Sequence, residues 1–240
     1  MDPNRLEEIA LNAWPALQQI LYDGWIVRFS RGFTRRANSV NAVYPSTFDP
    51  EAKIAACEAL YAARGLPPIF RVTPFSLPPE LDALLEARGY GRHDPTLVMV
   101  CELGGLEAGR PLVALPAAAW LDHFCRLAAV PREKHCIHQA ILDAIVPDHV
   151  TACVTTGEKV VACGLAVAEG GYVGLFDLIT DPACRRRGHG THLVQGLIAW
   201  GRARGASRAY LQVMHKNKGA RRLYERLGFR EVYRYWYRMG

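Results

Sequence analysis

The sequence predicts a mixed α/β fold, with mostly antiparallel sheets flanked by helices and the same kind of module used twice. Three observations predict it. Segments of helical period alternate with strand-like apolar runs. Glycines stand where helices should end. An internal repeat relates Ala63-Arg64-Gly65 to Ala203-Arg204-Gly205, 140 residues on, and Leu84-Leu85-Glu86-Ala87-Arg88-Gly89-Tyr90 to Leu223-Tyr224-Glu225-Arg226-Leu227-Gly228-Phe229, 139 residues on. The expected modules are residues 1–104 and 112–240.

In the first module, residues 25–29 and 39–43 are rich in β-branched and aromatic side chains and read as strands. Residues 52–64 read as a helix closing on Gly65. A strand at 69–73, a helix ending at Gly89-Tyr90 and a strand at 96–102 follow. The Gly-rich stretch from Leu103 to Pro111 punctuates two apolar segments and is the expected boundary. Beyond it, 116–127 and 136–145 read as helices. Residues 150–155, 160–167 and 172–179 read as strands, with turns at Thr156-Gly157-Glu158 and Gly170-Gly171. Helix 190–204 carries Leu193, Leu197 and Trp200 on one face. A strand at 209–214, a helix ending at Gly228 and a strand at 231–238 complete the repeat.

The chain has 240 residues, half of them hydrophobic and 22% charged, enough to bury a core and unlike a disordered or fibrous composition. No apolar run approaches the roughly 18 residues of a membrane helix. The polar start, Met1-Asp2-Pro3-Asn4-Arg5, is unlike a signal peptide. Seven irregularly spaced cysteines fit reduced thiols better than a disulfide framework. These features predict a soluble cytoplasmic protein. The net charge of +6 is uneven: residues 176–240 hold 14 Lys/Arg against 4 Asp/Glu. That imbalance predicts an anionic ligand near the C-terminal third.

The chemical signal concentrates in Asp177-Leu178-Ile179-Thr180-Asp181-Pro182-Ala183-Cys184-Arg185-Arg186-Arg187-Gly188-His189-Gly190-Thr191. A strand ends at Thr180, a basic glycine-containing loop follows, and a helix begins near Gly190. Such a junction aims backbone N–H groups and the positive end of a helix dipole at one place. Gly188 and Gly190 permit a tight turn and close approach of a bulky anion. A pyrophosphate is the expected guest. The loop is neither a P-loop nor a dinucleotide fingerprint, because Gly-Lys-Ser/Thr and Gly-x-Gly-x-x-Gly are both missing.

With Arg185-x-x-Gly188-x-Gly190 after a strand and Asn217-x-x-Ala220-x-x-Leu223-Tyr224-x-x-x-Gly228-Phe229 downstream, residues 112–240 resemble the GNAT superfamily of acyl-CoA-dependent N-acyltransferases. The resemblance implies that Arg185, Arg186, Arg187, Gly188, His189, Gly190 and Thr191 form the CoA pyrophosphate loop. It implies that the backbone of Leu178, Ile179 and Thr180 pairs with the pantetheine arm, and that Asn217 contacts that arm. Tyr224 matches the tyrosine that protonates the departing thiolate. Asp177 lies where members often carry the acidic residue that takes the amine proton. His135 and His138 match no zinc spacing and read as part of a substrate-side helix, so no metal is expected.

The first module lacks this chemistry. Its equivalent loop, Tyr44 to Glu51, has no Gly-x-Gly and no arginine, and includes Asp49 and Glu51. Leu85 stands where the second module has Tyr224. The run from Thr34 to Asn41 reads either as an acceptor-groove lining or as a hydrogen-bonded hairpin. The expectation is a tandem GNAT fold with a degenerate first copy. One acetyl-CoA site should transfer acetyl to a primary amine, on a small molecule or a peptide, in a ternary complex. The alternative is a catalytically silent acyl-CoA-binding regulator. A nucleic-acid partner is not expected, since no strand interleaves aromatic with basic residues, nor is a membrane partner. A monomer forming an internal pseudo-dimer and a homodimer are both compatible with the repeat.

Overall fold

The computed structural model describes residues 2–105 and 109–240. Its elements in chain order are α1 (Pro3–Ala13), β1 (Gln18–Tyr22), β2 (Trp25–Phe29), β3 (Val40–Ala42), α2 (Pro50–Ala62), β4 (Ile69–Val72), α3 (Leu81–Ala87) and β5 (Gly91–Glu102). Then come β6 (Val113–Ala114), α4 (Ala117–Ala128), α5 (Cys136–Asp143), β7 (Asp148–Thr156), β8 (Lys159–Glu169), β9 (Tyr172–Thr180), α6 (His189–Arg202), β10 (Arg208–Met214), α7 (Lys218–Arg226) and β11 (Arg230–Met239). The fold is mixed α/β, with helices flanking mostly antiparallel strands. No helix among the described residues is long and apolar enough to cross a membrane.

The chain forms two compact units, and their limits differ from the sequence expectation. One comprises residues up to Leu97 together with Tyr233–Gly240; the other is Val98–Val232. The chain therefore changes unit inside β5 and again inside β11, not at Gly104. Leu106, Glu107 and Ala108, in the expected boundary, lie outside the described residues. The physical reason is strand pairing: Trp236–Met239 of β11 pair antiparallel with Ile69–Val72 of β4. Strand pairing, which local punctuation does not report, decides which unit a strand joins.

In the first unit, Trp25, Val27, Ile54, Tyr61, Phe70 and Leu85 are buried in one core beneath β2, β3, β4, α2 and α3. The sequence reading gave no element to α1 or β1. Yet α1 buries Leu6, Ile9, Ala10 and Ala13, a helical stripe, and Asp2 caps it by accepting from the Asn4 N–H at 2.9 Å. The run after Thr34 is a short helical turn closed by Asn38, which accepts from the Ser30 and Gly32 N–H groups and donates to the Phe33 and Thr34 carbonyls. That turn lies in the connection between β2 and β3, which pair antiparallel.

In the second unit, β7, β8 and β9 are antiparallel, while β10 runs parallel to β9. α6 packs on β8 and β9. Its approach is set by Gly201, where an added Cβ would lie 2.5 Å from Val173. A Cβ on Gly164 would meet Leu178, Leu197 and Leu193, so that face of β8 looks toward α6. Cys163 and Asp177 face the other way, toward α4 and α5.

Both units contain the order strand, helix, parallel strand, helix, strand, with matching helix ends. The Leu66 N–H donates to the Tyr61 carbonyl and the Ala206 N–H to that of Gly201, each at 3.1 Å. Likewise the Tyr90 N–H reaches Leu85 and the Phe229 N–H reaches Tyr224, each at 3.0 Å. Each pair flanks a glycine at positive φ, as a left-handed C-cap requires. Leu85 and Tyr224 thus occupy the same place in equivalent helices.

The seating of β11 in the first unit is testable. Arg238, with 5% of its side chain exposed, forms a two-pronged ion pair with Asp82 (2.8 and 3.0 Å) and donates to the Tyr90 carbonyl. Removing one partner of a buried pair costs about 3–5 kcal/mol; because Asp82 is partly exposed, Arg238→Ala is expected to cost about 2 kcal/mol. Urea denaturation measures it. A loss below about 0.5 kcal/mol would mean that β11 does not depend on this contact.

Candidate active site

The second unit's site begins with a mismatch between neighbouring strands. Cys163 pairs with Ile179 but Leu165 pairs with Phe176, so β9 carries one residue more than β8 over that step. The excess is taken up as a bulge at Asp177, whose φ of 49° is left-handed. On the other edge, the register of β9 with β10 runs only as far as Leu175 and Leu211. Beyond that point β9 parts from β10, and its backbone is turned toward a cavity.

That cavity has a volume of about 880 Å³. Leu178, Ile179 and Thr180 form one wall; the loop and first turn of α6 supply Arg185, Arg186, Gly188, His189, Gly190 and Thr191; Asn217 and Tyr224 come from α7 and its cap. All of these were expected from the sequence. Arg187 is exposed and does not line it. Asp177 is also not in the lining, because its side chain lies on the opposite face of β9. The sequence reading missed Cys184, Leu193, Val194, Gly219, Ala220, Leu223 and Arg226. Several were legible: Ala220 and Leu223 stand three and six residues from Asn217, on the α7 face that carries Tyr224.

The loop conformation explains its glycines. Gly188 is the N-cap of α6 at φ 83°, a region costly for a side chain. Gly190 has ordinary backbone angles, but a Cβ there would project between Leu223 and Thr180 at 3.4 and 3.5 Å, inside the cavity. The first N–H groups of a helix have no intrahelical acceptor and carry the positive end of its dipole. Arg185, Arg186 and Arg226 add positive charge, and no carboxylate lines the cavity among the described residues. The arrangement suits a large anion.

Asn217 does more than the sequence suggested. Its Oδ1 caps α7 by accepting from the Ala220 N–H at 3.2 Å, which leaves the side-chain amide nitrogen as its donor. Tyr224 is buried, with its ring edge-on to Phe229 at 6.0 Å. Burial pushes its phenol up to about 12, so it stays protonated and able to donate throughout the neutral range.

On the far face of β9, Asp177 Oδ2 lies 2.7 Å from His138 Nε2, and His138 Nδ1 lies 3.2 Å from His135 Nδ1. His138 is buried against Trp120 and Phe124. The sequence placed these histidines only on a substrate-side helix; a contact across 39 residues leaves no local signal. Among the described residues, no group of three or more His, Cys, Asp and Glu is placed to hold a metal.

The family profile described as "Probable histone acetyltransferase Rv0428c C-terminal" matches residues 2–238. The chain belongs to that family, within the GNAT superfamily. It is similar to the uncharacterized N-acetyltransferase YobR of Bacillus subtilis, 28% identical over 99% of this chain and 98% of that protein. A GCN5-related N-acetyltransferase from Kribbella flavida shares the fold with a TM-score of 0.70 at 18% identity, covering 98% of this chain and 94% of that one. A tandem GNAT protein from the clavulanic acid biosynthesis pathway matches with a TM-score of 0.61 at 12% identity, over 79% of this chain and 69% of that one. Acyl transfer is thus the activity of the GNAT homologues it resembles.

The burial of Tyr224 predicts a pH effect with a definite sign. A phenol near 12 in the folded chain and near 10 when unfolded holds its proton longer when folded, so stability is lost as pH rises from 10 to 12. Two pH units correspond to about 2–3 kcal/mol. The Tyr224→Phe protein is expected to lose less stability between pH 9.5 and 11.5, by about 1.5–2 kcal/mol because that window spans only part of the range, in denaturation series at the two pH values. Parallel losses in both proteins would place the phenol in water.

Proposed function

We propose that the chain transfers an acetyl group from acetyl-CoA to a primary amine by direct attack in a ternary complex. One observation carries the reading: helix N–H groups, a glycine whose Cβ would project among them, a strand edge released from its neighbour and a buried phenol all meet in one arginine-lined cavity. In this reading the pyrophosphate rests on the amides of Gly188–Thr191, and Arg185 and Arg186 neutralise it. The pantetheine amides pair with the free edge of Leu178–Thr180 as an added strand. The amine nitrogen attacks the thioester carbonyl carbon, and the carbon–sulfur bond breaks. The Tyr224 hydroxyl donates to the departing thiolate, while the amine proton leaves on the Asp177 side of β9.

The first unit is read as a degenerate copy, because its equivalent loop is filled from within. Asp23 accepts from the Thr47 and Phe48 N–H groups (2.9 Å each) and from the Thr47 hydroxyl (3.0 Å), and pairs with Lys53. These hydrogen bonds, the Phe48 N–H foremost, hold its carboxyl down near 2. Asp49 caps α2 by accepting from the Ala52 N–H, and Pro50 has no N–H to offer. An internal carboxylate occupies the donors that a phosphate would use.

One acetyl-CoA is therefore expected per chain in titration calorimetry; a second site of similar affinity would contradict the reading. Gly188→Val is expected to weaken that binding at least tenfold, about 1.4 kcal/mol, and unchanged affinity in a folded variant would remove the loop from the site. Catalysis is tested by thiol release from acetyl-CoA with a panel of amines: a lysine-rich histone-type peptide, a polyamine, free amino acids and an aminoglycoside. Turnover that falls at least tenfold in Tyr224→Phe supports the transferase. Binding without turnover across the panel would favour the silent regulator.

A further inference from the structure

β3 leaves β4 at the same point of the repeat at which β9 leaves β10. The parallel register of β3 with β4 runs from Val40 and Phe70 only to Asn41 and Arg71. Arg71 and Leu211, the last paired residues of β4 and β10, stand 140 residues apart, the offset of the repeat. In the second unit the parted strand borders the cavity of about 880 Å³. In the first unit the chain closes the fork itself. The turn after β4 is held by the Ser76 hydroxyl, which accepts from the Thr73 N–H at 2.9 Å. It brings the Leu77 N–H to the Ala42 carbonyl at 3.1 Å. Between the strands there remains a cavity of about 10 Å³, room for the centre of one water-sized group.

Asn41 and Arg71, the last register pair, both line this cavity and are only 2% and 3% exposed. The Asn41 side-chain amide nitrogen donates to the Ser39 carbonyl at 2.9 Å, and its Oδ1 has no hydrogen-bond partner among the described residues. Arg71 directs both terminal nitrogens at Glu7 of α1, one of them at 2.9 Å, and lies over the Tyr235 ring at 3.7 Å. Its Nε–H likewise has no partner among the described residues. The other polar groups are engaged. The Thr73 and Ser76 hydroxyls lie 3.1 Å apart, and Glu7 also accepts from the Tyr233 hydroxyl. A buried acceptor and a buried donor thus stand side by side, each stripped of water, whereas buried polar groups in folded chains are nearly always paired.

We propose that this cavity binds one neutral, water-sized group that accepts from Arg71 Nε and donates to Asn41 Oδ1: a water molecule, or the hydroxyl of a small alcohol. The donor set selects this chemistry. An ammonium has no lone pair to offer Arg71, and a carboxylate or phosphate has no proton to offer Asn41. The charge agrees, because the Glu7 carboxylate and the Arg71 guanidinium cancel and no other ionisable side chain lines the cavity among the described residues. An ion would enter without a counter-charge and lose its hydration. The volume agrees too, since it admits a single hydroxyl-sized group and no phosphate. The proposal stands on the first unit by itself and does not need the transferase reading. It gives the fork of that unit an occupant of a different kind: a neutral guest held between two side chains, at the position where the second unit opens a large arginine-lined cavity.

The test is a crystal structure of the full chain, grown without alcohols, at a resolution that places ordered waters. One density peak is expected within hydrogen-bond distance, about 2.7–3.2 Å, of both Asn41 Oδ1 and Arg71 Nε. In solution, water is expected to give cross-peaks of the sign of a long-lived internal molecule to the Ala42 and Val43 methyl protons. Asn41→Leu, similar in size but without the acceptor, is expected to lose the peak and the cross-peaks. Should that variant fail to fold, the two wild-type measurements decide. A crystal soaked in methanol separates the sources: a carbon joined to the peak assigns the hydroxyl of a solute, and an unchanged peak assigns water. A wild-type cavity without density, a direct hydrogen bond between Arg71 Nε and Asn41 Oδ1, or an ion in the peak would overturn the proposal. So would an Asn41→Leu crystal that keeps the peak in place.

Discussion

A strand holding one residue more than its neighbour must bulge, and the rest of this site depends on where β9 does so. The extra residue falls between Phe176 and Ile179, opposite the step from Cys163 to Leu165. It turns Asp177 toward α5 and leaves Leu178 against α6, beside Gly164, where no side chain competes for the space. Just before it, β9 gives up its pairing with β10. A continuous sheet would have no backbone donors or acceptors to offer a ligand at this place. The bulge also sets one face of the strand toward the cavity and the other toward His138.

The two units show what that constraint accomplishes when the loop chemistry is present and when it is not. Both have a helix that follows one strand and precedes its parallel neighbour, and both end their helices with the same glycine caps. In the second, the helix begins after glycines, and its first amides face an open, arginine-lined space. In the first, Pro50 removes a donor, Asp49 takes another, and Asp23 collects the loop amides. The same backbone device is thus satisfied internally in one case and turned toward an open cavity in the other. Hydrogen-bonding the loop amides to a carboxylate in this way stabilises the loop, since each amide would otherwise need water or ligand.

Much of the fold was legible because it is written locally. Gly65, Gly89, Gly205 and Gly228 mark helix ends by a conformation that other residues avoid, and β2 was bounded as found because Trp25–Phe29 is a short apolar run between turns. The cavity lining was legible for the same reason: its glycines, arginines and Tyr224 fall in two compact motifs. What was not legible depends on pairing at a distance. Nothing near Tyr233 announces that β11 will join β4, and nothing near His138 announces Asp177. Arg187 looked equivalent to Arg185 and Arg186, but the turn at Arg186, with φ 60°, sends consecutive side chains different ways. Asn217 lines the cavity as expected, but its second role as the cap of α7 has no separate mark in the sequence reading.

The central claim is that a single unit offers its helix amides to acetyl-CoA while the other keeps its own occupied. Amide hydrogen exchange with and without acetyl-CoA measures this residue by residue. The account predicts new protection at residues 178–180, 188–191 and 217–224, and none at residues 44–52. Protection appearing equally in the 44–52 loop, or missing from 188–191 at saturating acetyl-CoA, would contradict it.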